Sequence, residues 1–377
     1  MKVFRLISSD KKTGSKNDVF ISLFIWYMAI AFLLFLAVYK ETVIPKYFFF
    51  DANTIADYIQ YAKSLVPGDS FANTALFYKV LGVGRTSFVF SILAAIIIVF
   101  GFYIHVKNRT NTLSFIDIAL LYFYMLLSVI YMTLLSKDFI VLLIILPFLY
   151  LTKKRTAGLI CWTILAAFYA FYFRTYWFLF LGVFWGLYLV CGLINKTNKL
   201  FIICILALLF LAIVLQIALG VDVDNFRKIV NDVRLDQGNE NANSMILPFI
   251  PGGGLIVGWL NVSLTWISFM LPFPLILSLS LSLSLYYIVI SLLVIMLYYK
   301  FWYALKIELQ KNKKVRNNSC IALACLILSF TLTQSLFEPD YGSYVRHLAP
   351  FYPLFFYVIF ANKSNSIERD DESSTCG

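Results

Sequence analysis

Three short polar turns interrupt long apolar runs in this sequence, and each carries groups that could do chemistry: Ser136-Lys137-Asp138, Arg174-Thr175-Tyr176-Trp177, and Glu338 through His347. Lys137, Arg174 and Arg346 offer cationic donors for an anion, and an Arg fork can grip a phosphate through two parallel hydrogen bonds. His347, Asp340 and, in an earlier loop, Asp51 are candidates for a base that takes a proton from a hydroxyl. Glu338 and Arg85 complete the candidate set as further substrate-binding groups. The plainer reading of these charges is interfacial, with Lys and Arg reaching headgroups and Tyr and Trp forming an aromatic belt. A charge drawn to the centre of a bilayer costs about 2.5–3.5 kcal/mol, so charges at its edge usually have partners or a pathway to line.

The elements that must position these turns are membrane helices. Of the 377 residues, 61% are hydrophobic and 14% charged, and the mean hydropathy is +0.82. A soluble domain runs near 45–50% apolar and about 25% charged, so a water-facing globule is excluded. Apolar segments near 19–39, 86–104, 113–135, 138–151, 157–173, 176–194, 199–219, 281–303, 318–337 and 344–361 read as about ten transmembrane helices. The expected fold is therefore all-α, a polytopic integral membrane protein with one transmembrane domain over 19–361. Residues 1–18 form a cytoplasmic segment and 362–377 a polar, disordered cytoplasmic tail. The first apolar run lacks a small-residue cleavage site and reads as a retained helix.

Charge sets the orientation. With both termini in the cytoplasm, the short cytoplasmic segments hold 19 of the 31 Lys and Arg residues and the opposite face 11, in much longer loops. The net charge of +11 is thus scattered over short breaks, a pattern of membrane topology with no basic patch for nucleic acid. Two longer periplasmic loops follow, near 40–85 and 220–262. In the first, Ile55, Tyr58, Ile59, Ala62 and Leu65 recur at helical spacing, which predicts an amphipathic helix on the outer leaflet with Asp51 or Asn53 at its start. In the second, Asp222, Asp224, Arg227, Lys228, Asp232, Arg234, Asp236 and Glu240 predict a solvated mixed-charge helix. The stretch 246–280, rich in Pro and Gly, reads as interfacial or re-entrant. The Leu and Ser alternation of 277–285 reads as helix, because an isolated strand cannot satisfy its backbone in lipid.

The last apolar run, 348–361, is about 21 Å long at 1.5 Å per residue, against roughly 30 Å of hydrocarbon. The final helix is therefore expected to begin near Tyr344, bent at Pro350 and Pro353, with Arg346 and His347 at a helix N-terminus suited to phosphate. Five of six cysteines lie in or beside apolar runs and read as small buried residues. No Walker loop, HExxH, GxSxG or Rossmann fingerprint is present, so ATP use, zinc hydrolysis and dinucleotide chemistry lack support.

Phe50-Asp51-Ala52 after the first span, Ser136-Lys137-Asp138, Arg174 among aromatics, and Tyr341-Gly342-Ser343-Tyr344-Val345-Arg346-His347 before a proline-bearing last helix resemble the O-antigen and oligosaccharide repeat-unit polymerases of bacterial surface polysaccharide assembly. The resemblance implies a bacterial inner-membrane enzyme of glycosyltransferase type. It would move a growing chain from undecaprenyl diphosphate onto the non-reducing-end sugar of another lipid-linked repeat unit, at the periplasmic face. It implies no cofactor and no metal, membrane lipid as surroundings, and a chain-length regulator and a flippase as partners. Arg346 and Arg174, with Arg85 or Lys137, would bind the diphosphate, and His347, Asp51 or Asp340 would be the base. Two rivals remain: a membrane glycosyltransferase using polyprenyl-phosphate sugars, with Asp51 or Asp57 as catalyst, and a flippase or transporter, for which Asp117 is a rare acid inside a span.

Overall fold

The computed structural model describes residues 16–84, 88–106, 113–153, 155–236, 244–277, 284–313 and 315–361. Helix is the only regular structure among the described residues, apart from an isolated bridge between Met245 and Asp340. In chain order the helices are α1 (Lys16–Val43), a 3-10 turn (Lys46–Phe49), α2 (Phe50–Ile59), α3 (Ser70–Val80), α4 (Phe88–Val106) and α5 (Phe115–Met132). Then come α6 (Lys137–Ile145), α7 (Phe148–Thr152), α8 (Arg155–Tyr172), α9 (Trp177–Cys191), α10 (Thr197–Leu219) and α11 (Asn225–Asp236). The last are α12 (Leu255–Met270), α13 (Phe273–Leu277), α14 (Ser284–Gln310), α15 (Asn318–Phe337), α16 (Tyr341–Leu348), a second 3-10 turn (Ala349–Phe351) and α17 (Tyr352–Phe360).

Six of these are long and apolar enough to cross a membrane: Trp26–Val43, Phe88–Val106, Phe115–Met132, Thr197–Ala218, Tyr287–Gln310 and Asn318–Phe337. Thr156–Tyr172, Trp177–Cys191 and Leu255–Met270 are apolar but shorter. Two further apolar stretches are broken by proline, which lacks the N–H that would continue the ladder. Pro147 separates α6 from α7, and Pro350 and Pro353 occupy the first turns of the second 3-10 segment and of α17. The architecture is that of a polytopic helical membrane protein.

The central pillar is α15, of which 94% is buried within the molecule. Its run of Ser, Cys, Ala and Thr explains this, since small side chains let neighbouring helices approach closely. The hydroxyls of Ser329, Thr331, Thr333 and Ser335 turn back onto carbonyls of their own helix at 2.7–2.9 Å, so they bring no unmet donor into the core. Phe330 stacks on Phe351 at 4.1 Å, and Trp266 of α12 donates to Thr331 at 3.0 Å.

Several sequence expectations change in three dimensions. The first long loop holds two helices where one was expected: α2 stops at Ile59, and α3 is capped by Asp69, which accepts from the Ala72 amide at 3.0 Å. Ile55 and Ala62 are buried while Tyr58 and Leu65 are exposed, so the apolar stripe divides between protein and surroundings. Neither Asp51 nor Asn53 caps α2, whose N-cap is Phe49. In the second loop α11 is a helix as expected but not a solvated one. Arg227, Asn231 and Asp224 are buried, Arg227 donating to Thr265 Oγ1 at 2.6 Å and the Asn231 amide to the Ile246 carbonyl at 3.1 Å. Within 246–280, α12 is a well-formed helix that docks by Trp259 on the Ile205 carbonyl and by Trp266 on α15. Of the Leu and Ser run, 278–283 lie outside the described residues, while α13 and α14 flank them as helix. Residues 1–15 and the tail 362–377 lie outside them too.

Candidate functional site

One end of the bundle gathers the turns that the sequence keeps far apart. Tyr78 Oη donates to the Ser136 carbonyl at 2.9 Å and accepts the Ser136 amide at 3.0 Å, which locks α3 onto the turn before α6. Asn73 donates to the Tyr172 carbonyl at 2.6 Å, and the Gly68 amide reaches Phe171, so the same loop grips the α8–α9 turn. On the other flank the Ile246 amide donates to the Pro339 carbonyl and the Tyr341 amide to Ser244. These backbone clamps fix the α15–α16 turn.

Four charged side chains from four segments meet inside this frame. Arg346 Nη1 lies 2.9 Å from Asp51 Oδ2, and Arg346 Nε lies 3.7 Å from Asp138 Oδ2. Asp138 Oδ1 accepts from Arg174 Nη2 at 3.2 Å, and Arg174 Nη1 donates to Tyr176 Oη at 3.1 Å. Asp138 and Arg174 are nearly closed off, with side-chain exposures of 4% and 9%, whereas Asp51 and Arg346 both stand at 29%. The inner pair is therefore the more fixed part of the cluster, and the Arg346–Asp51 pair is the part that exchanges most readily with a ligand. Lys137 adds a third cation, its Nζ 3.1 Å from the centre of the Phe71 ring. Burial first, and the Arg174 guanidinium second, push the Lys137 ammonium down to about 8, against the pull of Asp51 and Asp138.

His347 sits at the edge of this cluster. Its Nδ1 is 2.9 Å from Glu338 Oε2 and its Nε2 is 3.4 Å from Arg346 Nη2. A guanidinium has only donors, so the nitrogen facing it carries the lone pair and Nδ1 carries the proton, donated to Glu338. Glu338 is thus a buried orienting group behind the imidazole rather than a ligand-facing one. Burial, reinforced by Asp340, pushes its carboxyl well above the usual range, against Arg346 and Arg174. Several buried polar atoms of this cluster have no hydrogen-bond partner among the described residues: Glu338 Oε1, Tyr169 Oη, Trp177 Nε1 and Arg346 Nε. An unmet buried polar group costs about 1–3 kcal/mol.

The sequence reading thus divides. Asp51, Lys137, Arg174, Glu338, Arg346 and His347 converge, while Arg85 lies outside the described residues. Asp340 is engaged as the N-cap of α16, accepting the Ser343 amide at 2.7 Å and the Ser343 hydroxyl at 2.8 Å. That cap also corrects the expected phosphate site: α16 begins at Tyr341, Asp340 takes its N-terminal amide, and Arg346 and His347 stand in its last turn. Arg346 acts through its side chain from the far end of the helix. Asp138 was missed as a site residue, although it shares a three-residue turn with Lys137. Asp117, the acid set inside a span, forms a capping box with Ser114 and pairs with Lys300 at 2.9 Å, away from this cluster. No family model, curated protein or solved structure matches the chain.

Proposed function

We propose that the protein is a polymerase of lipid-linked oligosaccharides, transferring a chain from undecaprenyl diphosphate to the terminal sugar of another lipid-linked repeat unit. The observation that carries this reading is the convergence of Arg174, Arg346 and Lys137 beside an oriented His347–Glu338 pair. That set can hold a diphosphate and also accept a proton from an attacking hydroxyl. In this reading the chain threads an inner membrane about ten times with both termini in the cytoplasm, and the site faces the periplasm.

The mechanism follows from the contacts. An arriving diphosphate exchanges with Asp51 at Arg346, since both are anions competing for one guanidinium. Drawing Arg346 toward the phosphates also withdraws its donor from His347 Nε2 and leaves that lone pair for the acceptor hydroxyl. As the hydroxyl oxygen bonds to the anomeric carbon, the bond from that carbon to the diphosphate oxygen breaks. The diphosphate leaves with its electron pair, stabilised by Arg174, Arg346 and Lys137. The hydroxyl proton passes to His347, whose imidazolium Glu338 holds in place.

The membrane glycosyltransferase reading is favoured by one contact, the 2.9 Å pairing of Asp51 with Arg346, which puts an acid of the first loop at the cation. The transporter reading loses its main residue, because Asp117 is committed to a helix cap and to Lys300. The polysaccharide ladder of a deletion strain tests all three. Wild type should restore the ladder, and Arg346→Ala and His347→Ala, at normal membrane levels, should leave a single repeat unit. Loss of every repeat unit on deletion would move the step earlier and refute polymerisation. A ladder abolished by Asp51→Ala but kept by His347→Ala would favour the other glycosyltransferase.

A further inference from the structure

An aromatic strip leads away from the cation site. Tyr176 packs on Phe337 with ring centres 5.5 Å apart, and Phe337 packs on Phe226 at 5.4 Å. The three come from the α8–α9 turn, the last residue of α15 and the start of α11, and all three are half-buried. The strip starts at the cluster itself, because Tyr176 Oη accepts from Arg174 Nη1 at 3.1 Å and lies 3.4 Å from Gln334 Nε2. Its far end is held rigidly. Arg227, next to Phe226, is buried and ties α11 to Thr265 Oγ1 at 2.6 Å and to the Ser335 carbonyl at 3.4 Å. Burial pushes the Arg227 guanidinium down to about 10, against the pull of Asp224, consistent with an internal fastener that no solvent relieves.

We propose that Tyr176, Phe337 and Phe226 form a carbohydrate platform for the sugar rings attached to the anion that Arg174 and Arg346 hold. The inference rests on the polymerase reading and deepens it. A sugar presents apolar C–H faces and a rim of hydroxyls, so it suits rings with one polar edge, whereas a polyprenyl chain has no use for donors. The strip has that edge: the Tyr176 hydroxyl at one end, and Asn225 and the Lys228 ammonium, paired to Asp224 at 3.0 Å, on the helix of Phe226. Continuity with the cations sets direction, the diphosphate lying at Arg174 and successive sugars toward α11.

The test uses the full-length protein in nanodiscs and two probes: sugar-free undecaprenyl diphosphate, and lipid-linked oligosaccharide extracted from a strain lacking the protein. Phe337→Leu and Phe226→Leu keep apolar volume but remove the ring face, and each should weaken binding of the sugar-bearing probe about tenfold while leaving the sugar-free probe unchanged. Phe337→Tyr should restore the affinity, and Arg346→Gln should weaken both probes. Equal losses for both probes in the Leu variants would assign the rings to the polyprenyl chain and overturn the platform, as would no loss for either. Wild type binding both probes with equal affinity would remove the platform and leave the diphosphate site standing. Wild type binding neither would refute the polymerase reading and the platform with it.

Discussion

The two ends of the bundle use buried charge in opposite ways. At the end bearing α14's C-terminus, Glu308 is buried and holds Lys311 at 2.7 Å and the Asn317 amide at 2.5 Å, both within nine residues of it. Arg316 closes the same turn on the carbonyls of Lys311 and Leu309. Asp117, at the start of α5, is answered by Ser114 and Lys300. These contacts are mostly local and serve helix ends. At the other end Asp51, Asp138, Arg174 and Arg346 come from segments 36 to more than 200 residues apart, and Asp51 and Arg346 stay partly open. At the first end most charges are answered within their own turn; at the second, charges from four segments meet around an Arg346–Asp51 pair that stays partly open.

Substitutions can break or sharpen that contrast, and the largest effect should come from Asp138. Asp138→Ala leaves Arg174 buried without its carboxylate and should cost about 3–5 kcal/mol, read as a lowered unfolding temperature by fluorescence-detected size exclusion in detergent. An unchanged transition would show that the inner pair does not stabilise the fold. Next, Arg346→Gln should lower polymerisation by about 10²–10³, or roughly 2.7–4 kcal/mol of transition-state stabilisation, while the unfolding temperature stays within a few degrees of wild type. At the opposite end the pattern should invert: Ser114→Ala, which opens the capping box of α5, should cost about 0.5–2 kcal/mol of stability and leave polymerisation unaltered. Lost polymerisation there, with protein levels intact, would erase the distinction between the ends.

The smallest effect concerns pH. Lys137 is charged below about 8 and loses its charge as pH rises through that value. Affinity for undecaprenyl diphosphate, followed from pH 6.5 to 9.5, should therefore fall through that region, with a bound anion moving the midpoint upward by favouring the charged ammonium. Lys137→Arg should flatten the profile, because a guanidinium stays charged throughout. A profile equally steep in that variant would assign the titration to another group.

Much of the fold was legible in the sequence because lipid imposes few solutions. A backbone without water to bond must close its own hydrogen bonds, so apolar runs such as Phe88–Val106 and Asn318–Phe337 had to be helices. The candidate residues were legible for a related reason: Lys137, Arg174, Arg346 and His347 stand out because charge beside lipid is costly and therefore rare. Less legible were the two short helices of the first loop. There a stripe of Ile55, Tyr58, Ala62 and Leu65 looks the same whether the apolar face meets lipid or protein.

Sequence by itself determined the solvent, the helical class and the short set of groups able to bind an anion or move a proton, since each of these depends on composition or on local spacing. Tertiary structure decided what each group does. Asp340 caps α16 while Asp51, of the same type, faces Arg346. Arg227, read as a solvated charge, fastens α11, whereas Arg346 remains open. Glu338 stands behind His347 rather than before a ligand. The physical reason is that an ionisable side chain takes its role from partners a few ångströms away, and here those partners arrive from distant parts of the chain.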